Sequence, residues 1–331
     1  MGQILREAVV MKIGYSLMCE EHPPETLVEN AIRAEKAGFE FCFISDHFHP
    51  WLDVQGQSPF VWNMLGALSQ ATRRLEIGTA VTCPTFRYHP AVVAQAAATS
   101  ARMLEGRFFL GLGSGEALNE HIVAQRWPAA DIRLEMLEEA IDIIRELLTG
   151  EEVSHYGKHF SVENARIYTL PESLPPIYVA GGGKKSISMA AHKADGLICL
   201  TPSKSLLEHF DERGGSNKPR YGQLVVCYHE SRERAQEIAY KWWPQTGVKG
   251  ELKALLPNPS HFEQACKMVS REDVFEKIVC GPDPSHHLEA IEKYRKAGYT
   301  GLSIHQVGPH QAEFIDFYHK RILTEIGAAV V

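Results

Sequence analysis

Ser45-Asp46-His47-Phe48-His49-Pro50-Trp51 gathers imidazoles, a carboxylate and an indole directly behind a wholly apolar run. An imidazole titrates near neutral pH and can serve as general acid or base, so His47 is the first candidate for proton chemistry. Asp46 beside it can hydrogen-bond a ligand or orient a ring, and Trp51 can wall a site. The plainer alternative is a strand end meeting solvent, with His49 and Trp51 packing locally. A metal site does not follow, because His47 and His49 stand two apart in a loop with no third ligand in register.

A second cluster runs from Gly111 to His121 and reads GLGSGEALNEH. Its glycines allow close backbone approach to a ligand. Gly115 precedes a helix start whose free amides suit a phosphate. Glu116 is an ionisable group at a strand end; the alternative is a tight turn whose glutamate caps the helix. The spacing is not the GxGxxG of a dinucleotide fingerprint, so a Rossmann reading is rejected. A third cluster, Ala180-Gly181-Gly182-Gly183-Lys184-Lys185, makes another cradle for a phosphate, against the alternative of a flexible turn with solvated lysines. It lacks the GxxxxGK[ST] spacing of a nucleotide triphosphatase. Thr201 and Lys204 are a weaker pair suited to an anion. Trp242-Trp243 reads as core, and His121, His261, His286 and His287 carry no signal singly. No GxSxG nucleophile motif occurs.

These clusters need elements to hold them. Apolar runs at Lys12–Leu17, Phe39–Ser45, Leu75–Val81, Arg107–Gly113, Pro176–Ala180, Gly196–Leu200, Gln223–Tyr228 and Leu302–His305 read as strands, alternating with amphipathic helices. Ser58-Pro59 reads as the cap of a helix ending near Thr72. Residues 150–170 are polar and irregular and 244–270 are rich in Pro, Gly and Lys; both read as insertions. One internal echo supports the repeat: Lys36-Ala37-Gly38-Phe39 before the second strand matches Lys296-Ala297-Gly298-Tyr299 before the eighth. Eight strand–helix units favour an α/β fold of the closed (β/α)8 TIM-barrel type over an open sheet. Chemistry in such barrels sits at the C-terminal ends of strands, where all three clusters fall.

The chain has 331 residues, long enough for one barrel over 11–331. Residues 1–10 read as an N-terminal extension without the apolar core of a signal peptide. At 44% hydrophobic and 23% charged the composition is that of a soluble globular protein. A net charge of −7 with scattered basic residues argues against nucleic acid or an anionic membrane as partner, leaving a small-molecule substrate. The seven cysteines include no CxxC, and Cys42, Cys199 and Cys227 sit in apolar strands. They read as reduced core thiols of a cytoplasmic protein.

With these residues in view, the chain resembles the luciferase-like barrel superfamily, and within it the coenzyme F420-dependent glucose-6-phosphate dehydrogenases. The likeness spans about Met11 to Ile322 and is carried by SDHFHPW (Ser45–Trp51), CPTFRYHPAVVAQAAAT (Cys83–Thr99), GRFFLGLGSGEALNEH (Gly106–His121) and YVAGGG (Tyr178–Gly183). It implies an F420-dependent hydride transfer, many relatives being homodimers. It implies that Asp46 binds the coenzyme near its ring, and that His47 and Glu116 are acid/base groups. Trp51 becomes a wall of the site, and Glu20 matches an active-site carboxylate. A non-prolyl cis peptide is implied at Ala80-Val81. Ser114, Gly115, Asn119, Gly183 and Lys184, with Ser186, fall where the family meets the coenzyme's phosphate and tail. Cys83 replaces a coenzyme-contacting threonine. Thr201 and Lys204 match two sugar-phosphate positions, Lys253 and Lys277 align with two more, and His261 is the nearest match to a second active-site histidine. An FMN-dependent monooxygenase of the same superfamily is the alternative, though SDHFHPW with GSGEALNE favours the deazaflavin. A protein that only carries the coenzyme is a third reading, which an acid/base pair argues against.

Overall fold

The echoed KAG segments each end a helix on a glycine in the left-handed region, Gly38 at φ 99° and Gly298 at φ 101°. Only glycine takes that conformation without a Cβ clash, so both helices stop there and turn the chain into the next strand. The computed structural model describes residues 11–328. The extension expected over residues 1–10 lies outside them.

The strands are β1 (Lys12–Leu17), β2 (Phe41–Ile44), β3 (Glu76–Thr79), β4 (Phe108–Leu112), β5 (Val153–Tyr156), β6 (Ser161–Ala165), β7 (Ile177–Ala180), β8 (Gly196–Ile198), β9 (Arg220–Cys227), β10 (Val279–Cys280) and β11 (Gly301–Gln306). Before β7 the helices are α1 (Pro24–Ala37), α2 (Val61–Ala71), α3 (Pro90–Leu104), α4 (Ala117–Glu120) and α5 (Ala130–Leu148). After it come α6 (Lys184–Lys193), α7 (Lys204–Phe210), α8 (Arg232–Trp242), α9 (Leu252–Leu255), α10 (Pro259–Cys266), α11 (Arg271–Phe275), α12 (Pro284–Ala297) and α13 (Gln311–Phe317).

Parallel pairing runs β1-β2-β3-β4-β7-β8-β9-β11 and closes on β1. This is the expected eight-stranded (β/α)8 barrel. Phe41, Phe43, Phe109, Tyr178, Ile198 and Tyr221 fill its interior. Glycines on neighbouring strands make the room: a Cβ on Gly78 would lie 2.0 Å from the Phe109 ring. The larger apolar layer lies between strands and helices, as in other barrels.

Two features differ from the sequence reading. Residues 150–170 are not irregular but hold the antiparallel β5–β6 hairpin, whose inner residues Val153, Phe160 and Val162 are buried. So few apolar residues leave little periodicity to read. Ser58 does not cap α2, which starts from Phe60. Its hydroxyl instead donates to the His47 carbonyl at 2.7 Å, tying down the loop after β2. The 244–270 segment supplies a one-turn helix at Pro244–Gly247, then α9 and α10, and leads through α11 to β10. β10 pairs with β9 only at Val226 and Cys227, whereas β8 pairs with β9 only at Arg220 and Tyr221. The barrel wall is split between these contacts. The Tyr294 hydroxyl stands across the split, 2.7 Å from the Leu200 carbonyl and 2.8 Å from that of Gln223.

Candidate active site

The C-terminal strand ends open into a cavity of about 1230 Å³. Glu20 after β1, Asp46, His47 and Trp51 after β2, Ala80, Val81 and Cys83 after β3, and Ser114, Gly115, Glu116 and Asn119 after β4 all line it. Gly181, Gly182 and Ser186 follow β7, and Thr201 follows β8. Lys253 and Lys277 reach it from the segment before β10.

At its centre His47 Nε2 lies 3.3 Å from Glu20 Oε1 and 3.9 Å from Glu116 Oε2. The Trp51 indole donates to Glu20 Oε1 at 3.2 Å, and its ring centroid stands 5.1 Å from that of His47. The Ser45 hydroxyl donates to the other Glu20 oxygen and accepts from the Cys19 amide. Glu20 is thus a buried, fully engaged acceptor that aims both the imidazole and the indole.

Glu116 differs. Its side chain is 32% accessible and forms part of the cavity wall. Burial pushes its carboxyl up to about 7; His47 and Lys253 pull it down, while Glu20 and Glu120 push the same way as burial. A carboxyl poised there can give or take a proton near neutral pH.

Asp46 is almost inaccessible, and its oxygens accept from Thr82 Oγ1 at 2.7 Å, Arg87 at 3.0 Å and the Tyr88 hydroxyl at 3.3 Å. Arg87 also meets Glu120, 3.5 Å from one carboxylate oxygen. Burial pushes Glu120 up against the pull of Arg87. Arg87 was not among the residues expected at the site. A lone arginine in the aromatic run TFRYHP was the only signal, since such a group needs a carboxylate when buried.

The Ala80-Val81 peptide is cis, at the position the resemblance implied. Val81 faces the glycine loop after β4, where a Cβ on Gly113 would come within 2.5 Å of Val81 Cγ2. Gly115 holds φ 77°, and a Cβ there would meet Cys83 Sγ at 2.4 Å. Cys83 is buried against Thr85, its sulfur 2.9 Å from Oγ1. On the far wall, a Cβ on Gly182 would meet nothing within 4 Å. That backbone, just ahead of α6, is open to close approach by a ligand.

Some expected residues are not brought in. Gly183, the residue before α6, and Lys184 on its first turn lie outside the cavity wall. Lys184 borders an outer depression with Lys185, His192 and Arg213. Lys204 is exposed on α7 and pairs with Glu208 at 3.6 Å. His261 is exposed on α10, away from the cavity. Side chains on the first turn of a helix follow the helix's rotation, which strand-end proximity in sequence does not reveal. Lys253 and Lys277, by contrast, converge from distant segments on one acceptor, the Thr246 carbonyl, at 3.2 and 2.8 Å. Burial, and then Lys277, hold Lys253 below its usual range. Thr246, Gln245, Arg232 and Lys293 also line the cavity with no sequence signal that marked them. Trp243, read as core, is buried and also forms part of the wall. Among the described residues no group of three or more His, Cys, Asp or Glu side chains is placed to hold a metal.

The sequence profile of the family described as luciferase-like monooxygenase matches residues 11–301, and the chain belongs to that family. Its relatives narrow the class. The F420-dependent glucose-6-phosphate dehydrogenase of Microbacterium testaceum is 34% identical over 330 residues, covering 96% of this chain and 98% of the relative. That of Amycolatopsis mediterranei is 33% identical, covering 96% and 99%. Among solved structures, an F420-dependent secondary alcohol dehydrogenase holding an F420–acetone adduct superposes with a TM-score of 0.88 at 29% identity, over 94% of this chain and 98% of its own.

Proposed function

We propose that this chain is a coenzyme F420-dependent oxidoreductase that moves a hydride between an alcohol or hemiacetal carbon and the deazaflavin. The observation that carries this reading is the meeting of His47, Glu20 and Glu116 in one cavity beside the cis Ala80-Val81 peptide. The relatives that match nearly end to end are named for F420, which favours it over FMN.

The residues fit such a coenzyme. Val81 packs against the loop Gly113–Gly115, whose two glycines leave backbone open to a ring, and Gly181 and Gly182 offer backbone to an anionic tail. Asp46, Cys83, Ser114 and Ser186 line the same space. When bound, F420 supplies a hydride acceptor at C5 of its ring. The protein's part is position and protons. Removing a hydride from an alcohol also releases its hydroxyl proton, and His47 and Glu116 are the groups that handle it. Trp51 packs against the imidazole. Glu20 fixes both rings.

Thr201, Lys253 and Lys277 favour a substrate with an anionic group, such as a sugar phosphate, for which Lys204 is not needed. The protein is read as a homodimer in a reducing, cytoplasmic setting. All seven cysteines are buried free thiols, and no helix among the described residues is long and apolar enough to cross a membrane.

The test is a fluorescence titration of the purified protein with oxidised F420 and, separately, FMN. Tight binding of the deazaflavin alone, followed by loss of its absorbance with glucose 6-phosphate, is the expected result. Preference for FMN would overturn the coenzyme assignment.

A further inference from the structure

Four glutamines are buried among the described residues: Gln55, Gln245, Gln306 and Gln311. A carboxamide carries an accepting oxygen and a donating NH2, and taking both out of water is costly unless each finds a partner. Three of the four find theirs inside the protein. Gln55 Oε1 accepts from the amides of Trp51 at 2.8 Å and Leu52 at 3.3 Å, and its NH2 donates to the Trp242 carbonyl at 2.8 Å. Gln306 accepts from the Tyr228 amide and donates to the Val307 carbonyl. Gln311 accepts from the Tyr15 hydroxyl and donates to the carbonyls of Gln306 and Gly308. Gln245, 3% accessible, has no protein partner at either Oε1 or Nε2. Among the described residues no other buried side chain is left unanswered at two atoms, and of the four glutamines Gln245 alone lines the cavity.

The backbone that carries it is held in place. Gln245 lies in the one-turn helix Pro244–Gly247, and its carbonyl accepts from the Val248 amide at 3.1 Å. A Cβ on Gly247 would come within 2.3 Å of Val269 Cγ1, so the turn sits hard against the segment between α10 and α11. The bond from Gln55 to the Trp242 carbonyl ties the loop of His47 and Trp51 to the end of α8, just ahead of the turn. Both neighbours of this stretch face the same space. Trp243 lines the cavity, and so does Thr246, whose carbonyl gathers Lys253 and Lys277. Residues 243–246 thus place an indole, an unanswered carboxamide and the meeting point of two cations on one wall.

We propose that Gln245 recognises substrate hydroxyls, its NH2 donating to one and its Oε1 accepting from a neighbour, and that it makes the site specific for a polyhydroxylated substrate. This rests on the dehydrogenase reading and names its substrate class. Adjacent hydroxyls of a sugar suit both ends of the carboxamide, since each O–H donates and accepts. A simple secondary alcohol brings one hydroxyl, which belongs to the reacting carbon beside His47, and leaves Gln245 unanswered. The lysines gathered at Thr246 draw an anionic group to the adjoining stretch of the same wall, and a sugar phosphate carries both features. A buried group built to pair with a hydroxyl discriminates against an analogue that lacks it, because the protein group is then left alone.

The test uses deoxy analogues of glucose 6-phosphate, each lacking one ring hydroxyl, with F420-loaded wild type and Gln245→Met. Methionine keeps the length of the side chain and removes both polar atoms. In wild type at least one analogue should lose about tenfold or more in kcat/KM, and in Gln245→Met that loss should all but disappear. A wild type indifferent to every missing hydroxyl would overturn the proposal even if the variant fails to fold. So would a loss that persists in full in the variant, or F420-loaded wild type that does not turn over glucose 6-phosphate at all. Melting of the coenzyme-free proteins separates recognition from a structural role. Gln245→Met removes two unpartnered polar groups, so its melting temperature should equal or exceed that of wild type. A fall of about 2 °C or more would show that the carboxamide already has a partner, and would also overturn the proposal. This comparison needs neither coenzyme nor turnover, so a failure of the F420 reading, seen as absent coenzyme binding, stays distinguishable.

Discussion

At the scale of single residues the site is a contest between burial and pairing. Glu116 is held near 7 chiefly because its carboxylate is costly to charge inside the cavity. Its rate profile should carry a limb near pH 7 that vanishes in Glu116→Gln. The same substitution should lower kcat by about 10²–10⁴-fold, the usual contribution of a positioned acid or base. Stability follows the same group. Between the ordinary value of 4.5 and about 7 the folded state binds more protons than the unfolded chain. Glu116 therefore adds stability that is complete below pH 4.5 and lost as pH rises through 7. Melting curves of wild type should fall more steeply over that window than those of Glu116→Gln. His47→Ala should lose turnover by about 10²–10⁴-fold while fluorescence titration still shows F420 binding; a parallel loss of binding would remove it from the acid/base pair.

Elements decide where these groups stand. The glycine loop between β4 and α4 closes on Cys83 and Val81 so tightly that a methyl group has no place. Gly115→Ala adds both a left-handed non-glycine residue and a 2.4 Å contact with Cys83 Sγ. It should destabilise by about 1–3 kcal/mol, measured by denaturant unfolding, and weaken coenzyme binding in the same preparation. An unchanged midpoint would mean the loop can move away. On the opposite side of the barrel, the Tyr294 hydroxyl spans the split between β8 and β9. Tyr294→Phe leaves the Leu200 and Gln223 carbonyls without that donor and should cost about 1–3 kcal/mol.

At the scale of the whole molecule, the lysine-lined part of the cavity is built by segments far apart in the chain. Lys253 on α9 and Lys277 before β10 meet over one carbonyl at Thr246, which joins three parts of the segment between β9 and β10. Two cations so close favour an anion between them. Lys253→Ala with Lys277→Ala should raise KM for glucose 6-phosphate by at least about tenfold, one charge-assisted contact or more. An uncharged secondary alcohol should be affected little. Equal losses for both substrates would show that the lysines hold the fold and not the phosphate. The effect should shrink at high ionic strength, as Coulombic contacts do when screened.

Much of this was legible in the sequence because it is local. The alternation of apolar runs with amphipathic helices fixed eight barrel strands, since period and length are properties of contiguous residues. The paired KAG segments marked two strand entries for the same reason. His47, Glu116, Trp51 and the glycine loop stood out because strand ends in a barrel point to one rim. What the chain folded into three dimensions decided was every pairing between loops: Glu20 under His47, Arg87 between Asp46 and Glu120, Asn119 reaching across to the His47 imidazole. It decided too that Lys253 and Lys277 meet while Lys184 and Lys204 turn outward. β10 and the β5–β6 hairpin were invisible for a related reason, being too short to show a period until their partners were beside them. Such contacts join residues tens to hundreds of positions apart, and no spacing rule along the chain records them. They exist only once the barrel closes and brings the strand ends to a common floor.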